Sequence, residues 1–254
     1  MKKVILISVM LLTAVNAFSK CAYTGLSFWP AGQTVNKNSI FVIDGQQLSQ
    51  KIVSELGTVY PVYLKSDQQK IKLTVQEILV GQYGLTQAIL KPETTLSPGQ
   101  EYELIIENLE NSERLVCKYN PAGEREKIKW TVVNRLDNAA PAWTDSPKFK
   151  NSSFTVAGCG PIIFANFSFS ASDKSEFLIK TTVKNISTGK ETSYYLKAEE
   201  NLIAVGHGMC SGAFNFKDGE NFEVEFSLFD ASGNLSKSKG EKIKFKQPAL
   251  KIPG

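Results

Sequence analysis

In KIKLTVQ (70–76), Ile71, Leu73 and Val75 fall on one side of an extended chain and Lys70, Lys72, Thr74 and Gln76 on the other. EYELIIENL (101–109), EKIKWTVV (126–133), FLIKTTVKNI (177–186), NFEVEFSLFD (221–230) and EKIKFK (241–246) alternate in the same way. A two-residue period with β-branched and aromatic residues on the apolar side predicts half-buried strands. Turn chemistry separates them: Pro98-Gly99 sets up a strand entry, while KDGEN (217–221) and DASGN (230–234) read as hairpins. One segment has helical spacing, QQLSQKIVSELG (46–57), with Leu48, Ile52, Val53 and Leu56 on one stripe and Gly57 at its end.

Alternation lapses in NRLDNAAPAWTDSP (134–147), which carries two prolines and reads as a linker. The expected organisation is residues 1–17 as a signal peptide, 18–134 as a first domain, 135–147 as a linker and 148–254 as a second domain. The halves echo each other: EKIKW (126–130) closes the first and EKIKF (241–245) the second. Short antiparallel strands with turns between them predict an all-β fold of two sandwiches, with one short helix in the first.

The N-terminus MKKVILISVMLLTAVNA has a basic start, an apolar run too short for a membrane span, and small residues at the cleavage positions. Cleavage is expected after Ala17. A lipid anchor on Cys21 is disfavoured because Lys20, not a small residue, precedes it. The mature chain is then expected to be secreted, periplasmic or extracellular, with no integral membrane segment. Loss of Lys2 and Lys3 lowers the formal charge from +4 to +2 over 237 residues, which gives no general case for nucleic acid.

Cys21, Cys117, Cys159 and Cys210 form an even set behind a signal peptide, which favours disulfides. Four cysteines allow three pairings, and their order suggests Cys21–Cys117 and Cys159–Cys210. Each bridge would close a long loop, worth about 4 kcal/mol in the chain-entropy picture.

FWPAGQTVNKNSIFVIDG (28–45) and ILKPETTLSPGQEYELIIEN (89–108) resemble bacterial Ig-like domains of the S-layer type, with a Pro-led first strand and a P…L-x-P-G-x-x-Y-x-L strand entry. DNAAPAW (137–143) and FSLFDASGNLSKS (226–238) are similar to bacterial Ig-like and fibronectin-like modules. The resemblance implies two tandem Ig-like antiparallel β-sandwiches and no functional residue. It departs from antibody-type domains: no Trp lies between Cys159 and Cys210, and no Tyr stands two places before Cys117 or Cys210.

Chemistry is sparse. VGHGMCSG (205–212) contains the sole histidine, His207, three positions before Cys210. A structural zinc site needs more ligands than this stretch offers, and a catalytic Cys/His pair needs a free thiolate that a disulfide removes. The expected reading is a glycine-flanked turn beside a disulfide. In DASGNLSKSKGE, Asp230, Ser232 and Asn234 alternate like the start of a calcium loop, but Leu235 occupies the position that needs glycine. A hairpin is expected there, and a looser calcium site at Asp230–Asn234 stays open. The lysines at 237, 239, 242, 244 and 246 should line the solvated face of a strand. Trp130 is expected in the core. Trp29 and Trp143, near prolines, are the candidate ligand-binding aromatics, by stacking on sugars. No catalytic residue, metal ligand set or cofactor is assigned, and no hydrolase, metalloprotease or nucleotide-binding motif occurs.

The expectation is therefore a non-catalytic binding or structural module of the bacterial envelope or exterior, its partner a protein or glycan of the cell envelope. The alternatives are a carbohydrate-binding module and a glycan-acting hydrolase with paired carboxylates.

Overall fold

A computed structural model describes residues 25–158, 160–238 and 240–249. The expected signal peptide lies outside the described residues, as do Cys21, Cys159 and Lys239. The chain is all-β. The first half contributes β1 (Gly25–Trp29), β2 (Thr34–Val35), β3 (Phe41–Gln46), β4 (Val62–Lys65), β5 (Lys70–Val80), β6 (Leu85–Pro92), β7 (Glu101–Ile106), β8 (Cys117–Tyr119), β9 (Arg125–Lys127) and β10 (Lys129–Val132). The second contributes β11 (Ala142–Ala157), β12 (Gly160–Ser172), β13 (Phe177–Asn185), β14 (Glu191–Leu196), β15 (Leu202–His207), β16 (Asn221–Asp230), β17 (Leu235–Lys237) and β18 (Ile243–Lys246).

The halves share a strand order. In the first, β1-β3-β6 continues through β5 into β4-β7-β10-β2. In the second, β11-β12-β15 forms one sheet and β14-β13-β16-β17 another, with β18 also on β16. The opening strand of the first half is divided: β1 lies antiparallel on β3, whereas β2 lies parallel on β10. The sequence echo falls on equivalent strands, since Trp130 pairs with Tyr102 across β10 and β7, and Phe245 with Phe222 across β18 and β16.

Each half has its own apolar core. Phe41, Leu64, Leu73, Leu90, Tyr102 and Trp130 centre the first, where Phe41 and Trp130 rings lie 4.6 Å apart. Phe167, Phe214, Phe216, Phe226 and Phe245 centre the second. The second core also takes in Trp29, Ile40, Val42, Leu79 and Ile89 from the first half. The explanation lies in alternation: on β3, Phe41 and Ile43 point into the first core while Val42 points into the second. β3 and β6 are thus covered on both faces, which accounts for the unbroken apolar runs IFVI (40–43) and AIL (88–90). On β5 a register shift between Val75 and Glu77 moves the side chains to the opposite face. Ile71 and Leu73 serve the first core, and Leu79 serves the second.

Two elements differ from expectation. The helix α1 is shorter, Ser49–Ser54, and Leu48 points into solvent instead of joining Val53 and Leu56 in the core. The cause is Gln47, whose φ of +50° turns the chain before the first helical turn. A further short helix, α2, spans Ser112–Leu115. The expected linker, 135–147, is irregular only to Pro141, because β11 begins at Ala142. Trp143 holds it there, edge-on to Phe169 at 5.8 Å and donating its indole N–H to the Ser236 carbonyl at 3.2 Å. The C-terminal lysines behave as alternation requires: Lys244 and Lys246 are exposed and Phe245 is buried. Among the described residues no helix is long and apolar enough to cross a membrane.

Candidate functional site at the boundary between the halves

The polar residues with the least ordinary surroundings gather where the halves meet. Asp44 on β3 and Gln87 on β6 are cross-strand partners, so their side chains share the face turned toward the second half. The Gln87 amide meets the free edge of β14: its Nε2 donates to the Tyr195 carbonyl and its Oε1 accepts from the Tyr195 N–H, each at 3.1 Å. It thereby supplies the pairing that a further strand would give. The flanking tyrosines reach acids on the first half. Tyr194 Oη donates to Asp44 Oδ1 at 2.5 Å, and Tyr195 Oη to Glu77 Oε2 at 3.2 Å. Lys180 Nζ lies 3.5 Å from Glu77.

Burial of the Asp44 carboxyl pushes its pKa up to about 6, although hydrogen bonds from Tyr194 and Gln87 favour its charged form. Asp44 keeps partial exposed area; the packed protein around the carboxyl, not complete enclosure, desolvates it. Burial likewise raises Tyr194 and Tyr195, and the adjacent carboxylates add to the effect. Asp44 and Glu77 are each engaged by a tyrosine of β14, and Gln87 by its backbone, so these groups act as joints between the halves.

Further contacts join the halves. The β5–β6 turn pairs with the second half: Tyr83 N–H donates to the Gly212 carbonyl at 3.1 Å and Gly212 N–H to the Tyr83 carbonyl at 2.7 Å. Beyond β1, the Glu176 carboxylate accepts from the N–H groups of Ala31 and Gly32 at 3.0 and 2.6 Å. Asn36, Asn38 and Arg135 of the first half and its exit segment hydrogen-bond to Ser232, Asp137 and Lys174.

His207 ends β15, buried, its Nδ1 2.8 Å from the Gly208 carbonyl and its ring 4.6 Å from Tyr83. Of the two glycines flanking it, Gly206 answers to close backbone approach. Gly206 has φ +154°, and a Cβ there would stand 1.9 Å from the Ile163 carbonyl oxygen of β12. Residues 208–211 form the turn, closed by Gly208 N–H to the Ser211 carbonyl at 2.9 Å. Cys210 sits in it, engaged in a disulfide. Its expected partner Cys159 lies outside the described residues. Cys117, half-buried on β8, has no cysteine partner among the described residues, and its expected partner Cys21 lies outside them.

Trp29 is buried in the second core and offers no open ring face for a sugar; Trp143 is half-buried beneath β17. A cleft of about 540 Å³ opens beside the β8–β9 hairpin, lined by Glu103, Glu113, Arg125, Glu126 and Lys127. Two of its three acids face bases: Glu103 lies 2.9 Å from Lys127 and Glu126 3.8 Å from Lys118. At the junction, Asp137, Asp173 and Asp230 bring carboxylate oxygens within 4.8 Å of one another, the one grouping among the described residues able to hold a metal ion. Sequence inspection tested Asp230 only with its own loop. The other two acids come from segments 93 and 57 residues earlier, so no local spacing could reveal the set.

No protein-family model matches the chain, and no curated protein matches it in sequence. Among solved structures it is similar to pullulanase from Anoxybacillus sp. LM18-11 (8% identity, 83% of this chain and 24% of that one, TM-score 0.24). It is also similar to the tandem Ig repeats of Dlar (10% identity, 87% and 97%, TM-score 0.26) and to the S-layer protein rSbsC(31-844) (13% identity, 84% and 31%, TM-score 0.26). The chain spans about a quarter of the pullulanase. These likenesses accompany an all-β fold and carry nothing further.

Proposed function

We propose that the chain is a secreted, non-catalytic binding or structural module of the bacterial envelope or exterior, built from two tandem Ig-like sandwiches fused by a polar seam. The observation that supports it is where the reactive groups are committed. Asp44, Glu77, Tyr194 and Tyr195 tie one half to the other, and Glu103 and Glu126 of the cleft beside the β8–β9 hairpin are each paired with a lysine. A glycosidase needs two carboxyl groups facing across a cleft, one of them held protonated. Recognition of an envelope protein or glycan would use the loops at the ends of the lobes or the edge strand β11, which pairs on one side only. We propose the Cys21–Cys117 and Cys159–Cys210 disulfides as fasteners of the two lobes.

The test is a glycan array and an envelope pull-down with residues 18–254, run beside a glycan-hydrolysis assay. Retention of one protein or glycan without turnover is expected. Hydrolysis that disappears in Glu103→Gln or Glu126→Gln contradicts the proposal.

A further inference from the structure

Asp137 leaves the first half, Asp173 follows β12 and Asp230 ends β16, yet an oxygen from each lies within 4.8 Å of the others. Two of the three are buried, and Asp173 is half-buried. Like charges so close and so poorly solvated repel unless something positive lies between them. Protein groups fill that role only in part. Asp137 Oδ2 is buried with no hydrogen-bond partner. The Asp137 side chain is 7% exposed, and Arg135 Nη2, the base paired with it, stops 3.9 Å away, beyond hydrogen-bonding distance.

The rest of each carboxylate is held in place. Asp137 Oδ1 accepts from the Ala139 N–H at 3.3 Å. Asp230 Oδ1 accepts from the N–H groups of Ser232 and Asn234, and Oδ2 from the Asn234 amide, all at 2.8 Å. Asp173 accepts from Lys174 N–H and Ser175 Oγ. The Asn234 amide also donates to the Asp137 carbonyl at 3.1 Å, so two of the acids are fixed to one another.

We propose that Asp137, Asp173 and Asp230 form a calcium-class divalent-cation site that clamps the exit of the first half onto the second. The donors are all oxygen, which suits a hard cation, and three carboxylates with irregular geometry suit calcium better than octahedral magnesium. Sites of this kind in extracellular modules have Kd of about 0.1–1 mM. Because Asp137 also accepts from Asn38 of the first half through its carbonyl, the ion would stiffen the joint. The inference holds whatever the module recognises.

The experiment is calorimetric titration of EDTA-dialysed residues 18–254 with calcium chloride to ~10 mM, a range set by those affinities, with thermal melts in calcium and in magnesium. One calcium per chain and a rise in Tm are expected. Asp173→Asn should weaken calcium binding at least about tenfold and abolish the Tm rise while leaving the calcium-free melt intact. Asp137→Asn should do the same and relieve repulsion without the ion. Absence of stoichiometric heat, an undiminished response in Asp173→Asn, or an equal response to magnesium overturns the assignment.

Discussion

Tyr194 on β14 donates its phenolic proton to Asp44 on β3 at 2.5 Å, a bond between residues 150 apart in sequence that joins the two halves. The contact keeps an acid in a place where its charged form is poorly solvated, and that has a consequence for pH. The folded-state pKa of Asp44 is about 6 against an ordinary value of 3.8, so between these values the folded protein binds more proton than the unfolded chain. This contribution is fully present below about pH 4 and is lost as pH rises through 6. At most about 3 kcal/mol is involved. Asp44→Asn should flatten the fall in stability between pH 4 and pH 7, measured by urea unfolding. An unchanged slope would show that Asp44 does not carry it.

Gln87 stands in for a strand at the edge of β14. Gln87→Ala leaves the Tyr195 N–H and carbonyl without their partner and should cost about 2 kcal/mol. Chemical denaturation checks this; a loss below about 0.5 kcal/mol, the scale of an ordinary surface change, would remove Gln87 from the seam.

Gly206 admits no side chain. Gly206→Ala drives a methyl into the Ile163 carbonyl and should cost more than about 3 kcal/mol. Gly158, with nothing within 4 Å of its would-be Cβ, is the matched control and should change stability by less than about 0.5 kcal/mol. Equal effects at both positions would refute the close-approach reading.

The proposed disulfides predict that denatured, non-reduced residues 18–254 react with no thiol reagent. Mass spectrometry after alkylation should find all four cysteines unmodified. Alkylation of Cys117 would mean that the first bridge does not form.

Strands with one wet face were legible in the sequence. Lys70–Leu73 and Lys129–Val132 alternate as written, and Trp130 is in the core as its neighbours Ile128 and Val132 imply. Leu48 misled because periodicity does not register the backbone turn at Gln47. Trp143 was placed in a linker because prolines and Asp-Ser signals on either side outweighed its own packing on Phe169. The seam was hidden for a different reason. IFVI (40–43) and AIL (88–90) put apolar residues on both faces of β3 and β6, but do not show what covers the outer one. The Asp44–Tyr194 and Asp137–Asp230 encounters depend on long-range packing that no local period encodes.

The central claim is that a shared second core and its polar seam make the two halves one cooperative body. Differential scanning calorimetry of residues 18–254 tests it most directly. A single transition whose calorimetric and van't Hoff enthalpies agree is predicted. Two resolved transitions, only one of them shifted by Gln87→Ala, would contradict it.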